Sequence, residues 1–348
     1  MKIVNTIRFA AAALILVSVA ACDEKKNNPV ENWPWPGDNG EQQDPDPDPE
    51  EWSDVSASFE GLPEHIQLLK SPKILQGREA IAYAAVVDLN QATFQVWGIN
   101  APDLNGCKEP FQTPSEVYSA KNEPAIVING GYFYYDSGKY YSSSLEVSNV
   151  QLLSPNINYA SEDWKTIYAP TRGAFLEHSD GSYEVCWTFF KNASNHWIYQ
   201  NPAENSYSAA PLRTPSATFP ETGKKFEAVN GIGGGPVLLK NGEIRNTAEA
   251  ELFDGASGIM VDSPHPRTAI GKTADGKLVL FVCEGRNMTE GVAGFTTLEV
   301  ANILKDLGCT DALNLDGGGS TIMLVCGKEI IKPSDGKQRS VASCVYIR

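Results

Sequence analysis

The residues predict an α+β domain, a β-rich mixed sheet with few helices, and three observations predict it. Short runs dense in Val, Ile, Leu and Phe recur along the chain, most of them bounded by Asn, Asp, Gly or Pro. A single amphipathic helix near the C-terminus carries clear start and stop signals. That helix lies between two strand-like runs, which makes one β-α-β unit near the C-terminus.

Taken in chain order, residues 1–22 read as a lipoprotein signal peptide. Lys2 and Arg8 precede an apolar stretch from Phe9 to Val19, too short for a retained membrane span. The small residues of "VAAC" then end at Cys22, the expected site of lipidation. This places the protein in the bacterial cell envelope, lipid-anchored at the periplasmic or surface face of the outer membrane. Residues 23–52 follow as a disordered acidic Pro-rich tether, whose "DPDPDPE" favours an extended, self-repelling chain.

Residues 53–348 remain, with no second linker and no internal repeat, and are expected to form a single domain. Of the net charge of −15, residues 23–54 carry −9 and residues 1–22 carry +2, which leaves −8 for residues 55–348. No basic block suits nucleic acid, so an anionic ligand needs specific local Arg or Lys. Six cysteines stand in the body: Cys107, Cys186, Cys283, Cys309, Cys326 and Cys344. Export permits disulfides, but the spacing selects no pairing. No C-x-x-C pair suggests zinc or redox chemistry, and Cys283 and Cys326 lie in apolar runs where buried thiols are common.

The strand candidates are "EAIAYAAVVDL", "ATFQVWGI", "PAIVING", "FEAVNGIGGGPVLL", "KLVLFVCEG", "DALNLD" and "STIMLVCG". Hairpin turns are expected at Asn241-Gly242 and Asp275-Gly276. A short helix is expected from Ser115. The clear helix spans 296–307: Thr296 and Glu299 fit a capping box, Leu298, Ala301, Leu304 and Leu307 form a stripe, and Gly308 stops it. The flanking strands of this unit should run parallel and end on one sheet edge, a favoured ligand position. Glu284 and Arg286 end the first; Asp316 and three glycines end the second.

Three segments share one grammar, an apolar strand followed by Asn or Asp and then glycines. They are "NGGYF" from Asn129 and Gly130, "NGIGGGP" with Gly234 and Gly235, and "NLDGGGST" with Gly317, Gly318, Gly319, Ser320 and Thr321. Glycines let backbone N–H groups converge on an anion. "DGGGST" lacks the lysine of a P-loop, "GIGGGP" is no dinucleotide fingerprint, and no G-x-S-x-G nucleophile elbow occurs. The four His, at 65, 178, 196 and 265, show no metal spacing, so no cofactor is predicted, and the spacing leaves a divalent cation near the acidic residues undecided. Arg267, held extended by Pro266, is expected to point outward; it and Arg286 are candidate clamps for phosphate or carboxylate.

Together, "NGGYF", "GGGP", "PRTAIG" at 266–271, "EGR" at 284–286, "LGC" at 307–309 and "ALNLDGGGST" at 312–321 resemble the phosphodiester glycosidase family. Glu284 stands where that family usually has Asp, and Ile322 where Thr is common. The resemblance implies hydrolysis of a sugar–phosphate bond at the anomeric carbon of an N-acetylglucosamine-like phosphodiester, with a phosphorylated glycan as partner. Under it, Asp316 and Glu284 are the carboxylate pair, Arg267 and Arg286 hold the phosphodiester, and Gly317 to Gly319 assist through their N–H groups. Asn129 and Thr321 would orient sugar or phosphate oxygens. The alternatives are a non-catalytic glycan-binding lipoprotein on the same scaffold and a phosphodiesterase that breaks P–O rather than C–O.

Overall fold

Side-chain alternation along the strands sets the layers. The computed structural model describes residues 51–253 and 257–348. The expected signal peptide, Cys22 and the tether up to residue 50 lie outside the described residues. The main sheet has eight strands in the order Ser53–Asp54, Ile66–Lys70, Ala82–Val87, Leu278–Cys283, Arg267–Thr273, Cys309–Asn314, Val237–Lys240 and Glu243–Ile244. Its central strands are buried on both faces, so they read as continuous apolar runs. Leu278, Leu280 and Val282 face the larger core, together with Ile270 and Leu313. Val279, Phe281 and Cys283 face the other side with Ala269 and Ala312.

The second side is covered by the helix Thr297–Asp306, whose Thr296 capping box is formed in both directions. Such a cap contributes about 1 kcal/mol. Val300, Ala301, Ile303 and Leu304 pack on the sheet, and burial of Val300, Ile303 and Leu304 stabilises by roughly 1.5–3 kcal/mol each. The stripe therefore differs from the expected one: Leu298 is 48% exposed, and the buried face starts at Thr297. The short helix is Pro114–Ala120, capped by Thr113 and Glu116.

The strands before and after the long helix do not pair with each other. Both pair antiparallel with Arg267–Thr273, which lies between them. They consequently run parallel, and the residues beyond their ends share one edge with the start of the central strand. Both expected hairpins form, with φ of 54° at Asn241, 79° at Gly242 and 84° at Gly276.

Two more sheets complete the core. One has seven strands and contains Arg172–Glu177 and Asn230–Gly233; the other has five and contains Ile126–Asn129, Met323–Val325 and Ser343–Ile347. Two glycine clusters are the places where the chain changes sheets. "GGP" leads from Asn230–Gly233 to Val237–Lys240, and "DGGGST" leads from Cys309–Asn314 to Met323–Val325. All six body cysteines are free thiols.

Candidate active site

The shared edge brings Glu284, Arg286, Arg267 and Asp316 to one side of the main sheet, but it does not turn all of them toward solvent. Arg267 is 2% exposed, contrary to its expected outward course. Its Nε donates to Phe295 O at 2.9 Å, Nη1 to Ile259 O at 3.0 Å, and Nη2 to Met260 O and Ser263 O, both at 2.8 Å. Pro266 sets the backbone, yet four carbonyls of the 259–263 turn and Phe295 capture the guanidinium. It braces a loop rather than clamping a ligand. Glu284 is likewise buried: Oε1 accepts from Lys332 N and Oε2 from Thr289 Oγ1, both at 2.8 Å. Both oxygens tie neighbouring loops together, so the expected pair of carboxylates loses its second member.

Asp316 keeps its place. It is partly buried, and its backbone is held from both sides by the first cluster: its N–H donates to Gly130 O at 3.1 Å, and its carbonyl accepts from Asn129 Nδ2 at 2.7 Å. Asn129, fully buried, also accepts from Thr268 Oγ1 at 2.7 Å and from Ile322 N at 3.2 Å. It thus fastens both ends of the "DGGGST" loop. The second cluster joins through Gly235 N, which donates to Asn314 O at 2.7 Å.

The three clusters do converge, but for backbone packing first. A Cβ on Gly234 would overlap Asn314 O, and Gly235 has φ of +141° against the Phe253 ring. The Gly317 N–H donates to Asp316 Oδ1 at 2.8 Å and the Gly318 N–H to Pro266 O at 2.8 Å. Neither is free for an anion as the glycine-nest expectation had it.

What stands over that loop is a group the sequence did not single out. Arg339 donates from Nε and Nη2 to Asp335 Oδ2 at 2.9 and 2.7 Å, and from Nη1 to Ser320 Oγ at 3.3 Å. Arg286, exposed and at φ of 57°, donates to Ser334 Oγ at 3.3 Å and lies 4.0 Å from Asp335 Oδ1. "KPSDGKQR" offers no periodicity and no motif, so nothing pointed to it. Tyr132 and Asn314 were missed as well. Asn314 Nδ2 donates to Tyr132 Oη at 2.8 Å, and Tyr132 Oη donates to Gly235 O at 2.6 Å. A buried Asn ending an apolar strand was the available signal, shared with Asn129. Thr321 is buried, its hydroxyl without a partner among the described residues. Both ring nitrogens of His265 are likewise unpartnered.

Withdrawal from water pushes the Asp316 carboxyl up to about 6, against the Ser320 hydrogen bond and the Arg339 charge, the Gly317 N–H and the Arg286 charge, which favour its anion. Burial, and then the Asp316 charge, push the Tyr132 phenol up, so it stays neutral. Burial and then the charges of Arg267 and Arg286 lower the His265 pKa, which favours a neutral ring. The site thus offers one carboxyl able to exchange a proton near neutrality beside two accessible guanidiniums. Among the described residues no group of three His, Cys, Asp or Glu could hold a metal ion.

Comparison with known proteins gives concordant relatives. The sequence profile of the phosphodiester glycosidase family matches residues 122–348. The N-acetylglucosamine-1-phosphodiester alpha-N-acetylglucosaminidase of Homo sapiens is 34% identical over 113 residues, 31% of this chain and 21% of that protein. A SPbeta prophage-derived uncharacterized protein, YomE, of Bacillus subtilis (strain 168) is 40% identical over 83 residues, 24% of this chain and 13% of that protein. The chain therefore spans 21% or less of the length of these relatives. Among solved structures, the zebrafish N-acetylglucosamine-1-phosphodiester alpha-N-acetylglucosaminidase catalytic domain, auto-inhibited by its pro-peptide, superposes with a TM-score of 0.54 at 20% identity, over 86% of this chain and 87% of that one. A hypothetical protein from Synechocystis gives 0.50 at 16% identity, over 82% and 62%. At these identities the likeness is one of fold.

Proposed function

From the premise that this chain belongs to the phosphodiester glycosidase family, we propose that it hydrolyses a sugar-1-phosphodiester, N-acetylglucosamine-like, at the anomeric carbon. Family membership supports glycosidase-type activity; the substrate and the residue roles are our reading. Asp316 faces the anomeric carbon, and Arg286 and Arg339 hold the phosphodiester. The C1–O bond breaks with its electron pair on the phosphate oxygen. Water supplies the new oxygen at C1, and its proton leaves through Asp316. The phosphomonoester formed leaves as a stable anion, so the reaction needs little protonation of the leaving group. The demand shifts to charge stabilisation and positioning, which one carboxyl and two guanidiniums supply.

The observation that carries this reading is Asp316, its backbone held by Asn129 and Gly130 and its carboxyl poised at about 6 beside Arg339 and Arg286. The lipobox reading of Cys22 adds anchoring in the cell envelope, which globomycin sensitivity of its processing would test. To test the chemistry, the protein is incubated with an N-acetylglucosamine-1-phosphodiester in oxygen-18 water and free sugar is quantified. Label in the sugar, and loss of release in Asp316→Asn, are expected. Label in the phosphate would make it a phosphodiesterase and refute C–O cleavage.

One observation favours the non-catalytic alternative: Glu284, the expected second carboxylate, is engaged by Lys332 N and Thr289. A glycan-binding protein would release no sugar, and Asp316→Asn would keep its ligand affinity.

A further inference from the structure

The two guanidiniums assigned to phosphate are already bridged by a carboxylate of the chain itself. Asp335 Oδ2 accepts both Nε and Nη2 of Arg339, and its Oδ1 lies 4.0 Å from Arg286 Nη1. The carboxylate rests directly on the glycine loop: a Cβ on Gly319 would overlap both Asp335 oxygens and Arg339 Nη2. Arg286 Nη2 lies 2.7 Å from where a Cβ on Gly318 would sit. Arg286, Asp335 and Arg339 keep 43%, 36% and 40% of their side chains in solvent, so a ligand reaches all three. Glu284 pins the loop entering this segment through Lys332 N, and Ser334 accepts from Arg286. Asp335 is therefore held at the anion position by the surrounding structure.

We propose that Asp335 sets the charge of ligand this site accepts, selecting the singly charged phosphodiester over the doubly charged phosphomonoester. The inference rests on the reading of Arg286 and Arg339 as the phosphate-holding pair. Two guanidiniums and one carboxylate leave one net positive charge, which a phosphodiester monoanion neutralises. A phosphomonoester carries close to two negative charges at neutral pH, and the second faces Asp335. Ionised Asp316 adds to that repulsion. Like charges a few ångströms apart in a partly exposed site discriminate strongly, because solvent screens them only in part. Asp335 also orients Arg339 through two bonds that converge on its single oxygen Oδ2, an acceptor position that a phosphate oxygen would take in its place. A hydrolase so arranged releases its phosphomonoester product readily, since the product bears the extra charge.

The test uses the full chain and two probes at about pH 8, inorganic phosphate as the dianion and dimethyl phosphate as the monoanion. Affinities for wild type, Asp335→Asn, Arg339→Gln and Arg286→Gln are measured by calorimetry. Asp335→Asn should tighten inorganic phosphate by about tenfold relative to dimethyl phosphate. Both arginine variants should weaken both probes. The ratio of two affinities within one variant is insensitive to a fraction of unfolded protein, so loss of stability does not mask the result. A ratio unchanged by Asp335→Asn, or probes indifferent to Arg286 and Arg339, would overturn the proposal. Absence of sugar release by the wild type would refute the glycosidase reading alone, since the affinity ratio is measured without turnover.

Discussion

Replacing Asn129 with alanine removes a strap, and its cost can be worked from the contacts. The side chain is fully buried and joins three groups from separate segments: Asp316 O, Thr268 Oγ1 and Ile322 N. Thr268 and Ile322 are themselves buried, at 0% and 2% exposure, so no water replaces the lost partner there. Leaving a buried polar group unsatisfied costs about 1–3 kcal/mol. The Thr268 hydroxyl can rotate and Asp316 O lies nearer solvent, which brings the sum to about 2–4 kcal/mol. That is less than the roughly 5–15 kcal/mol of a typical domain, so Asn129→Ala folds. For a body of this size the melting temperature should fall by roughly 3–6 °C. Urea unfolding followed by circular dichroism measures the free energy, and steady-state kinetics the site. Asp316 loses its carbonyl anchor, so kcat should drop more than KM changes. Asn129→Asp accepts but cannot donate, and should be no better. A loss below about 1 kcal/mol in both variants would refute the strap.

Three further outcomes are expected. Gly235→Ala should destabilise by more than about 3 kcal/mol or prevent folding, because φ is +141° and the new Cβ meets the Phe253 ring; Gly319→Ala, which meets only the side-chain ends of Asp335 and Arg339, should cost much less, and thermal melts compare them. Asp316 has its pKa raised from 3.8 to about 6, so its protonated form favours folding. That contribution is full below about 3.8 and is lost as pH rises through about 6; melts should show Asp316→Asn more stable than wild type at pH 7.5, by about 1–3 kcal/mol, with the gap closing near pH 4. Arg267→Lys cannot serve four carbonyls and should lower the melting temperature nearly as much as Arg267→Ala, whereas Arg286→Lys should leave it almost unchanged while weakening phosphate binding.

Elements with strong local signals were legible in the sequence. The capping box at Thr296 and Glu299, the Asn241-Gly242 turn and the apolar run at 278–283 act within a few residues, and each formed where its own chemistry required. The helix phase was misread because Leu298 is apolar yet exposed, and only the sheet beneath decides which face is covered. The site was legible as an edge: parallel strand ends placed Glu284, Arg286 and Asp316 beside the Arg267 that begins the strand between them. Which of them turns toward a ligand depends on partners that lie far off in sequence. Lys332 N claims Glu284 from 48 residues away, and Phe295 O claims Arg267 from 28. Arg339 arrives from a stretch with no pattern at all. A polar residue at a strand end thus marks a site only after its donors and acceptors are counted. Arg267 gives four bonds to carbonyls, whereas Arg286 gives one to a hydroxyl and faces a carboxylate at 4.0 Å. By that count Arg286 retains the capacity to hold an anion, and Arg267 is part of the wall.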